Sequence, residues 1–346
     1  MLTIHPQFKL DNKAFSKPGT LLDEVKTNYP DDYDFLKALL YAKSIDVQTS
    51  GSTGQPKIIT HTIQALQKSA EATGKYFDLK PGTKALHCLS SAFIAGKMMW
   101  VRALHLGWHL TRVLPEANPL QNIPDHFDFA AMVPLQAQSS YEQLEQIKTL
   151  IIGGAPLSSV WEEKLARLNT AVYLTYGMTE TITHIAVRNL KQSNAVFETL
   201  PSVMINQDNR GCLTIDVPYI SNQTFVTNDV IDLINSTSFT WLGRYDHVIN
   251  TGGIKIFPEQ IEQRLQPYIS YPFIISSIAD ETLGDKMVLV INSKAFDIDL
   301  NHLSQQAGLS AYYQPKQVVF MTDLPLTANG KIKRNDVKLK VNKLYL

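Results

Sequence analysis

The sequence predicts an α/β fold. A large layered α/β domain, β-rich in its distal part, is expected over residues 1–244, and a small α+β domain over residues 245–346. Short apolar strand patterns alternate with helical patterns as far as about residue 195. Beyond that point short strands with turn signals dominate, and the last part of the chain mixes strands with amphipathic helices. The length of 346 residues suits two domains.

The first half begins with helical spacing and continues with alternating elements. Apolar residues recur at helical intervals at positions 21, 22 and 25 and again at 35, 36, 39 and 40. A polar Gly/Ser/Thr loop at 49–57 follows them. The patterns then predict helices at 62–77, 141–146 and 160–168, and strands at 85–89, 130–133, 149–152 and 171–174.

The second half is richer in strands, which the closely spaced turn signals indicate to be antiparallel. Pro258 suits the first position of an amphipathic helix that carries Ile261 and Leu265 at i, i+4. A further helix is predicted at 301–307, and the predicted boundary between domains lies at Gly243–Asp246. The predicted strands are 212–217, 225–227, 230–234, 239–241, 248–250, 273–279, 287–291 and 317–321.

Composition excludes several classes of protein. The 32 basic and 32 acidic residues balance, which favours neither nucleic acid nor an anionic membrane as a partner. Cys88 and Cys212 lie far apart and outside any CxxC, so we expect small buried thiols of a reducing compartment. The N-terminus has no signal-peptide pattern and no run of about 18 apolar residues occurs. We therefore expect a cytoplasmic protein without integral membrane contact.

The first motif is the polar loop, which reads Thr49-Ser50-Gly51-Ser52-Thr53-Gly54-Gln55-Pro56-Lys57. Its glycines allow the backbone to approach a phosphate closely. The hydroxyl and backbone N–H groups can donate to anionic oxygens, and Lys57 adds a positive charge. The spacing does not fit a Walker A loop. The alternative is a flexible surface loop.

The second motif, Tyr176-Gly177-Met178-Thr179-Glu180-Thr181, directly follows the strand predicted at 171–174. A carboxylate at the C-terminal end of a strand suits a divalent cation, and a threonine hydroxyl suits a phosphate oxygen. These features make Glu180 a candidate metal ligand and Thr179 a candidate phosphate contact. The alternative is an ordinary turn with a solvated glutamate.

The third motif combines Thr227-Asn228-Asp229 with the run 241–246, which ends in Arg244-Tyr245-Asp246. A carboxylate can accept hydrogen bonds from both hydroxyls of a ribose, and an arginine can donate to them. The alternative is a surface Arg–Asp pair, which is common.

The fourth motif is the run 324–334, in which Asn329-Gly330 signals a tight turn followed by Lys331. A turn of this kind would present Lys331 at the tip of a loop. Taken alone, the run is equally typical of a basic surface turn.

Together and in this order, the four motifs resemble the adenylate-forming superfamily of acyl-CoA synthetases, luciferases and peptide-synthetase adenylation domains. The resemblance covers about residues 45–335 and includes Gly153-Gly154-Ala155 and the run Gly252-Gly253-Ile254-Lys255 up to Glu262. It implies the adenylate-forming enzyme fold and an AMP-forming acid–thiol ligase. Such an enzyme uses ATP and Mg²⁺ to activate a small carboxylate as an acyl-adenylate and then transfers the acyl group to coenzyme A.

The resemblance also implies a role for each matched position. Thr49–Gly54 and Lys57 would bind the ATP phosphates, with Glu180 on Mg²⁺ and Thr179 beside the phosphates. Gly153, Gly154, Ala155 and Tyr176 would lie at the adenine, and Asp229 and Arg244 at the ribose. Asp246 would be the hinge between domains, and Lys331 would contact the reacting carboxylate and the α-phosphate. After a domain rotation, Gly252, Gly253 and Lys255 would face coenzyme A.

The sequence departs from the family pattern in two places. Only 48 residues precede the phosphate loop, so we expect much of the usual N-terminal subdomain to be missing, and its contribution to the acyl pocket or to dimerisation is open. The usual Thr-Gly-Asp is Thr227-Asn228-Asp229 here. Asparagine tolerates a left-handed backbone better than most residues, which is compatible with nucleotide binding.

The acyl substrate is suggested by residues 91–107. The stretch from Ser91 to Lys97, with Arg102-Ala103-Leu104 and Gly107, resembles the o-succinylbenzoate:CoA ligase family of menaquinone biosynthesis, although Phe93 replaces that family's histidine. An aromatic dicarboxylate would need apolar walls and one cation for the carboxylate that does not react. Lys97 and Arg102 are the candidate cations and His184 a further pocket residue. The alternatives are two cations that reach water from a helix face and a packed histidine.

Two other functions stay open at this point. An adenylation enzyme could load an aryl or amino acid onto a carrier protein, but an amino acid would call for a buried carboxylate near the acyl pocket, and the sequence offers no obvious one. A non-catalytic nucleotide-binding protein could keep the fold. The presence of both Glu180 and Lys331 argues against that alternative.

Overall fold

A computed structural model describes residues 1–48, 57–192, 194, 196–326 and 332–344. The helices in this part of the chain are α1 (Pro18–Asn28), α2 (Pro30–Tyr41), α3 (Ile63–Tyr76), α4 (Ile94–Leu106), α5 (Pro134–Ser139), α6 (Ser159–Ala166), α7 (Pro258–Leu265), α8 (Leu300–Gln306) and α9 (Arg334–Leu344). Short 3-10 turns lie at Tyr141–Gln146, Tyr245–His247, Gln266–Tyr268 and Ala311–Tyr313.

The strands of the described residues form three sheets. They are β1 (Lys9–Leu10), β2 (Lys13–Ala14), β3 (Ser44–Gln48), β4 (Ile58–Thr62), β5 (Lys84–His87), β6 (His109–Arg112), β7 (Phe127–Met132), β8 (Ile147–Ile152), β9 (Ala171–Gly177), β10 (His184–Asn189), β11 (Val196–Thr199), β12 (Met204–Gln207), β13 (Cys212–Asp216), β14 (Phe225–Asn235), β15 (Ser238–Arg244), β16 (Ile249–Thr251), β17 (Ile254–Ile256), β18 (Phe273–Asp280), β19 (Gly284–Ile291) and β20 (Gln317–Phe320).

The largest sheet has 13 strands among the described residues, in the order β12-β13-β14-β15-β11-β10-β9-β8-β7-β5-β6-β1-β2. Strands β6, β5, β7, β8 and β9 run parallel, and β10 to β15 are antiparallel to their neighbours. The central parallel strands β5, β7 and β8 bury most of their residues on both faces, as parallel sheets require. Ile151 packs with α4 on one face, while Leu150 and Ile152 pack with Leu165 of α6 on the other.

The N-terminal segment belongs to this core. Leu2 N donates to Leu39 O at 3.2 Å, and His5 N donates to Leu104 O at 2.9 Å. Strand β1 adds to β6 in parallel, and Phe8 is fully buried. Helix α4 packs against β5 of the sheet, against α3 and, through Lys97 over the Phe35 ring, against α2.

A five-stranded sheet, β17-β16-β19-β18 with β20 on β19, forms the second part. It has separate apolar clusters, one of which includes Ile261 and Leu265 of α7 and the other Val337 and Val341 of α9. The first sheet ends at Arg244 and the second begins at Ile249. These ends flank the predicted boundary; independent motion of the two parts stays a prediction.

Two predicted elements differ in the structure, and the prediction for the cysteines is confirmed. The strands predicted at 225–227 and 230–234 are one strand, β14, because the intervening polar residues keep extended backbone and the ladder shifts register at Val230/Ile231. The helix predicted at 141–146 is a 3-10 turn. Cys88 and Cys212 are buried free thiols, as predicted. None of the described helices is long and apolar enough to cross a membrane.

Candidate nucleotide and acyl site

The candidate site lies at the carboxyl ends of the parallel strands, where open α/β sheets bind ligands. Strands β8 and β9 are neighbours, and Ile152 is the Cα partner of Leu174. The loop beginning at Gly153 and the loop beginning at Met178 therefore leave the same edge of the sheet side by side. These are two of the segments that the sequence predicts to meet a nucleotide.

The loop after β8 depends on its two glycines. Gly153 N donates to Met132 O at 3.2 Å, and a Cβ at Gly153 would overlap the hydroxyl of Thr175 on the adjacent strand. Gly154 has a φ of +86°, which side chains rarely adopt. The backbone at Gly153–Gly154 thus lies close against β9 and leaves a surface without side chains beside Tyr176.

Tyr176 and Asp229 meet across the antiparallel half of the sheet. The Tyr176 hydroxyl donates to Asp229 Oδ2 at 2.7 Å, and Trp241 Nε1 donates to Asp229 Oδ1 at 3.1 Å. Burial raises the pKa of Tyr176 well above its usual value, and the Asp229 carboxylate raises it further. Tyr176 therefore stays neutral and acts as a donor. The two contacts fix the orientation of the half-buried Asp229 carboxylate.

Arg244 lies opposite Asp229 on the neighbouring strand, since the two are Cα partners of β15 and β14. Its guanidinium donates to both carboxylate oxygens of Asp246, from Nε at 3.0 Å and from Nη2 at 3.2 Å. Burial would raise the pKa of Asp246, but the Arg244 guanidinium outweighs it and lowers that pKa. One ion pair thus connects the predicted ribose contact with the predicted hinge residue.

The loop 178–183 carries Thr179 and Glu180 and is held from several sides. Thr181 Oγ1 donates to the carbonyl oxygens of Met178 and Thr183, each at 3.0 Å. Ile182 has a φ of +67°, an uncommon and strained conformation for a β-branched residue. Glu180 is exposed, as a carboxylate for a solvated cation should be.

His61 on β4 also supports this loop, and the sequence patterns gave no sign of it. Its Nε2 lies 2.8 Å from Thr179 O, so this nitrogen carries the proton in the neutral tautomer that donates to the carbonyl. Burial lowers the pKa of His61, which keeps the ring neutral. A single histidine between threonines gives no periodic signal from which this contact could be predicted.

The predicted acyl residues Arg102 and His184 lie together. Arg102 is 1% exposed, and its Nη2 lies 3.5 Å from both Thr183 Oγ1 and His184 Nδ1. Within the described part of the chain no carboxylate forms an ion pair with Arg102, and its Nε has no hydrogen-bond partner. Burial lowers the pKa of Arg102 to about 9, so the guanidinium is cationic at neutral pH. Burial, followed by the Arg102 charge, lowers the pKa of His184 well below its usual value.

Lys97 lies on the same helix but is separated from that pair in its contacts. Its Nζ donates to Ser91 O at 2.5 Å and lies 4.6 Å from the centre of the Phe35 ring. Burial lowers the pKa of Lys97, and Asp32 partly offsets this. Lys97 thus fixes the loop before α4 against α2, whereas no described residue makes a comparably short contact with Arg102.

Other predicted residues are placed only in part. Thr49–Pro56 and Lys331 lie outside the described residues. The base of the Lys331 segment is defined by an antiparallel bridge between Leu326 and Ile332 and by a hydrogen bond from Lys333 N to Pro325 O at 2.8 Å. Lys57 is exposed at the start of β4. Gly252 and Gly253, with φ of +55° and +81°, form the turn between β16 and β17, and Lys255 is on β17.

A magnesium ion is compatible with these residues. No group of three or more potential metal ligands occurs in the described ranges. Mg²⁺ at nucleotide sites is usually held by one or two carboxylates together with substrate phosphates. The exposed Glu180, next to Thr179 on a loop held by hydrogen bonds from Thr181 and His61, suits that arrangement.

Comparison with known proteins gives concordant matches. The sequence profile of the AMP-binding enzyme family matches residues 47–206. The 2-succinylbenzoate–CoA ligase of Listeria monocytogenes is 25% identical, with 85% of this chain and 69% of that protein aligned. The Escherichia coli K12 enzyme of the same name is 24% identical, with 84% of this chain and 67% of that protein aligned. The chain thus spans about two thirds of the length of these curated relatives.

Solved structures match as well. A protein of Dyadobacter fermentans described as acyl-CoA synthetase (AMP-forming)/AMP-acid ligase II-like is 36% identical. The superposition covers 93% of this chain and 98% of the Dyadobacter chain, with a TM-score of 0.62. An o-succinylbenzoate CoA synthetase of Bacillus subtilis, solved with its acyl-adenylate intermediate, is 21% identical with a TM-score of 0.74, over 85% and 68% of the two chains. The likeness to the Bacillus subtilis structure shows the fold of this chain.

Proposed function

Because the chain belongs to the adenylate-forming superfamily of AMP-binding enzymes, we propose that it is an ATP-dependent acid:CoA ligase that converts o-succinylbenzoate to o-succinylbenzoyl-CoA, a step of menaquinone biosynthesis. The observation that carries the substrate assignment is the buried Arg102 beside His184, which no described carboxylate neutralises. We also propose a cytoplasmic location, where ATP and coenzyme A are at hand.

The reaction has two steps. A carboxylate oxygen of the substrate attacks the α-phosphorus of ATP, and pyrophosphate leaves, which gives an acyl-adenylate. The thiolate of coenzyme A then attacks the acyl carbon, and AMP leaves with the electron pair of the broken C–O bond. Adenylation concentrates negative charge at the α-phosphate, and Lys331 is the residue proposed to stabilise it.

The nucleotide would lie along the edge formed by β8, β9 and β15. The flat Gly153–Gly154 backbone and the Tyr176 ring would enclose the adenine, with Ala155 at the same loop. Asp229, oriented by Tyr176 and Trp241, would accept from the ribose hydroxyls. Thr49–Gly54 and Lys57 would bind the phosphates. Mg²⁺, held by Glu180 and the phosphates beside Thr179, would neutralise phosphate charge.

The acyl group would extend towards α4. A buried guanidinium without an anionic partner is costly, because desolvation is not offset by a nearby opposite charge. A substrate that brings a second carboxylate would supply that charge. The aliphatic succinyl carboxylate would then react, while the aromatic carboxylate would lie at Arg102 and His184. Lys97 is a weaker candidate, since Ser91 O already accepts from its Nζ.

The second step requires the thiol to reach the adenylate. We propose that the part from residue 245 onward rotates about Asp246, which moves Lys331 away and brings Gly252, Gly253 and Lys255 towards coenzyme A. The separate apolar clusters of the two sheets support independent bodies. The Arg244–Asp246 pair would then connect ribose binding to the hinge.

The site argues against the loading of an amino acid onto a carrier protein. An ammonium group would need a carboxylate in the pocket, whereas the described pocket residues present a guanidinium and a neutral imidazole. An aryl acid remains compatible with carrier loading. The test is pyrophosphate release across a panel of carboxylates, with and without coenzyme A. We expect o-succinylbenzoate to be the preferred acid; a preference for a simple fatty or benzoic acid would overturn the substrate assignment.

A further inference from the structure

Arg210 lies in the turn between β12 and β13 and is bound by more partners than a surface arginine normally has. Its Nη1 donates to Asn228 Oδ1 at 2.9 Å, and its Nη2 donates to Thr227 O at 3.0 Å. Asp208, in the same turn, accepts from Nε at 2.8 Å. The guanidinium carbon also lies 5.3 Å from the centre of the Tyr245 ring.

Two of these partners directly precede Asp229, the proposed ribose contact. Asp229 is oriented through its side chain by Tyr176 and Trp241, and Arg210 fixes the backbone and side chain just before it. Asn228 stands where the superfamily pattern has glycine. Glycine has no side-chain acceptor, so the bond from Arg210 to Asn228 is one that the usual residue could not make.

The ring partner connects Arg210 to the other ribose residue. Tyr245 follows Arg244 and precedes Asp246 in the turn that leads to the second sheet. A planar guanidinium can lie over an aromatic ring while its N–H groups donate in the plane, which lysine cannot do. Arg210 therefore contacts both segments that would hold the ribose, the one before Asp229 and the one after Arg244.

The charge of Arg210 is already balanced. Asp208 Oδ2 lies 2.7 Å from Nη2, so the guanidinium has a carboxylate partner within its own turn. Arg210 is thus suited to hold backbone in place and less suited to attract phosphate. This distinguishes it from Lys57 and Lys331, for which direct contact with the nucleotide is proposed.

We infer that Arg210 is a positioning residue of the nucleotide site, which holds Thr227-Asn228-Asp229 and Tyr245 in the arrangement that binds the ribose. The inference rests on the proposed function, because it presupposes that ATP binds along β14 and β15. It predicts an effect on ligands that contain ribose and none on ligands that lack it.

The test compares ATP with pyrophosphate, a product without ribose. R210M should raise the Kd for ATP, measured by calorimetry, by about tenfold, the order of one lost charge-assisted hydrogen bond. Product inhibition by pyrophosphate should be unchanged. R210K keeps the charge but not the planar fork and should fall between wild type and R210M. R264M is the matched control, because among the described residues Arg264 donates only to Gly308 O, in the second part of the chain. This variant should bind ATP as wild type does.

Asn228 provides a second, milder test. N228A removes the side-chain acceptor without the added backbone freedom of a glycine, so it should weaken ATP binding by a few-fold, and the same change made in R210M should add almost nothing. If R210M fails to fold, N228A alone decides. Unchanged ATP affinity in R210M and N228A, or an equal loss for pyrophosphate, would overturn the inference. A wild-type protein that does not bind ATP would overturn the proposed function itself and the inference with it.

Discussion

Replacing Arg102 with methionine should remove the preference for a second carboxylate while leaving the fold intact. The contacts of Arg102 are long, at 3.5 Å to Thr183 and His184 and 3.9 Å to Met99 Sδ, so the protein gains little from them. An apolar side chain of similar length is often neutral or stabilising in place of a buried charge. We therefore expect the melting temperature of R102M to be unchanged or higher.

The catalytic cost should be large and selective. A desolvated carboxylate that loses its charged partner is destabilised by about 3 kcal/mol, which corresponds to roughly 10²-fold in kcat/KM. That loss should affect o-succinylbenzoate and spare the analogue without the ring carboxyl group. The assay is pyrophosphate release with each acid at saturating ATP.

Lys97→Met is the matched control, because it removes a cation from the same helix five residues earlier. Lys97 binds Ser91 O, so any loss should be equal for the two acids. An equal loss for both acids in R102M would refute the proposed role of Arg102. A selective loss in the Lys97 variant would move the carboxylate contact to that residue.

Four further predictions follow from the structure. Lys331→Ala should slow adenylation by about 10²–10³-fold and spare thioester formation from supplied acyl-adenylate, which separate assays of the two half-reactions check; equal losses in both would contradict its role. Asp229→Ala or Arg244→Ala should weaken ATP binding by roughly 1.5–3 kcal/mol in calorimetry, and unchanged affinity in both variants would contradict their proposed roles at the ribose. Asp246→Pro fixes φ and removes an N–H, so one half-reaction should fail while the other survives; normal rates in both would exclude a hinge there. Burial lowers the folded-state pKa of His61, His87 and His184, so below about pH 6.5 the unfolded chain binds more protons than the folded one. The free energy of unfolding in urea should therefore fall as the pH drops below that value; a flat profile would contradict the burial of these histidines.

Elements with a clear period could be predicted from the sequence, whereas those without one could not. Helices α3 and α7 show one apolar face and were predicted to within a few residues. Helix α4 was not predicted, because every residue from Met98 to Leu104 is buried. A helix that is apolar on all faces lacks the alternation of apolar and polar faces by which a helix is recognised in a sequence. The short strands β6 and β10 likewise lack alternation that the sequence alone could assign.

Site residues could be predicted from the sequence where they belong to a contiguous motif. The adjacency of the Gly153 and Met178 loops follows from parallel strands. The Tyr176–Asp229 contact could not be predicted in this way, because β15, β11 and β10 lie between β14 and β9 in the sheet. His61 and Arg210 each make their contacts to residues far away in the sequence, so no local sequence pattern predicts these contacts. The sequence also left Lys97 and Arg102 equivalent, since only their packing shows which cation has a partner.

The central claim is that the chain forms a thioester through an acyl-adenylate. The most direct measurement is to incubate the enzyme with o-succinylbenzoate, ATP, Mg²⁺ and coenzyme A and to identify the products by mass spectrometry. We predict o-succinylbenzoyl-CoA, AMP and pyrophosphate in equal amounts, and the acyl-adenylate when coenzyme A is omitted. ADP and phosphate as products, or no thioester while another acid is turned over efficiently, would contradict the account.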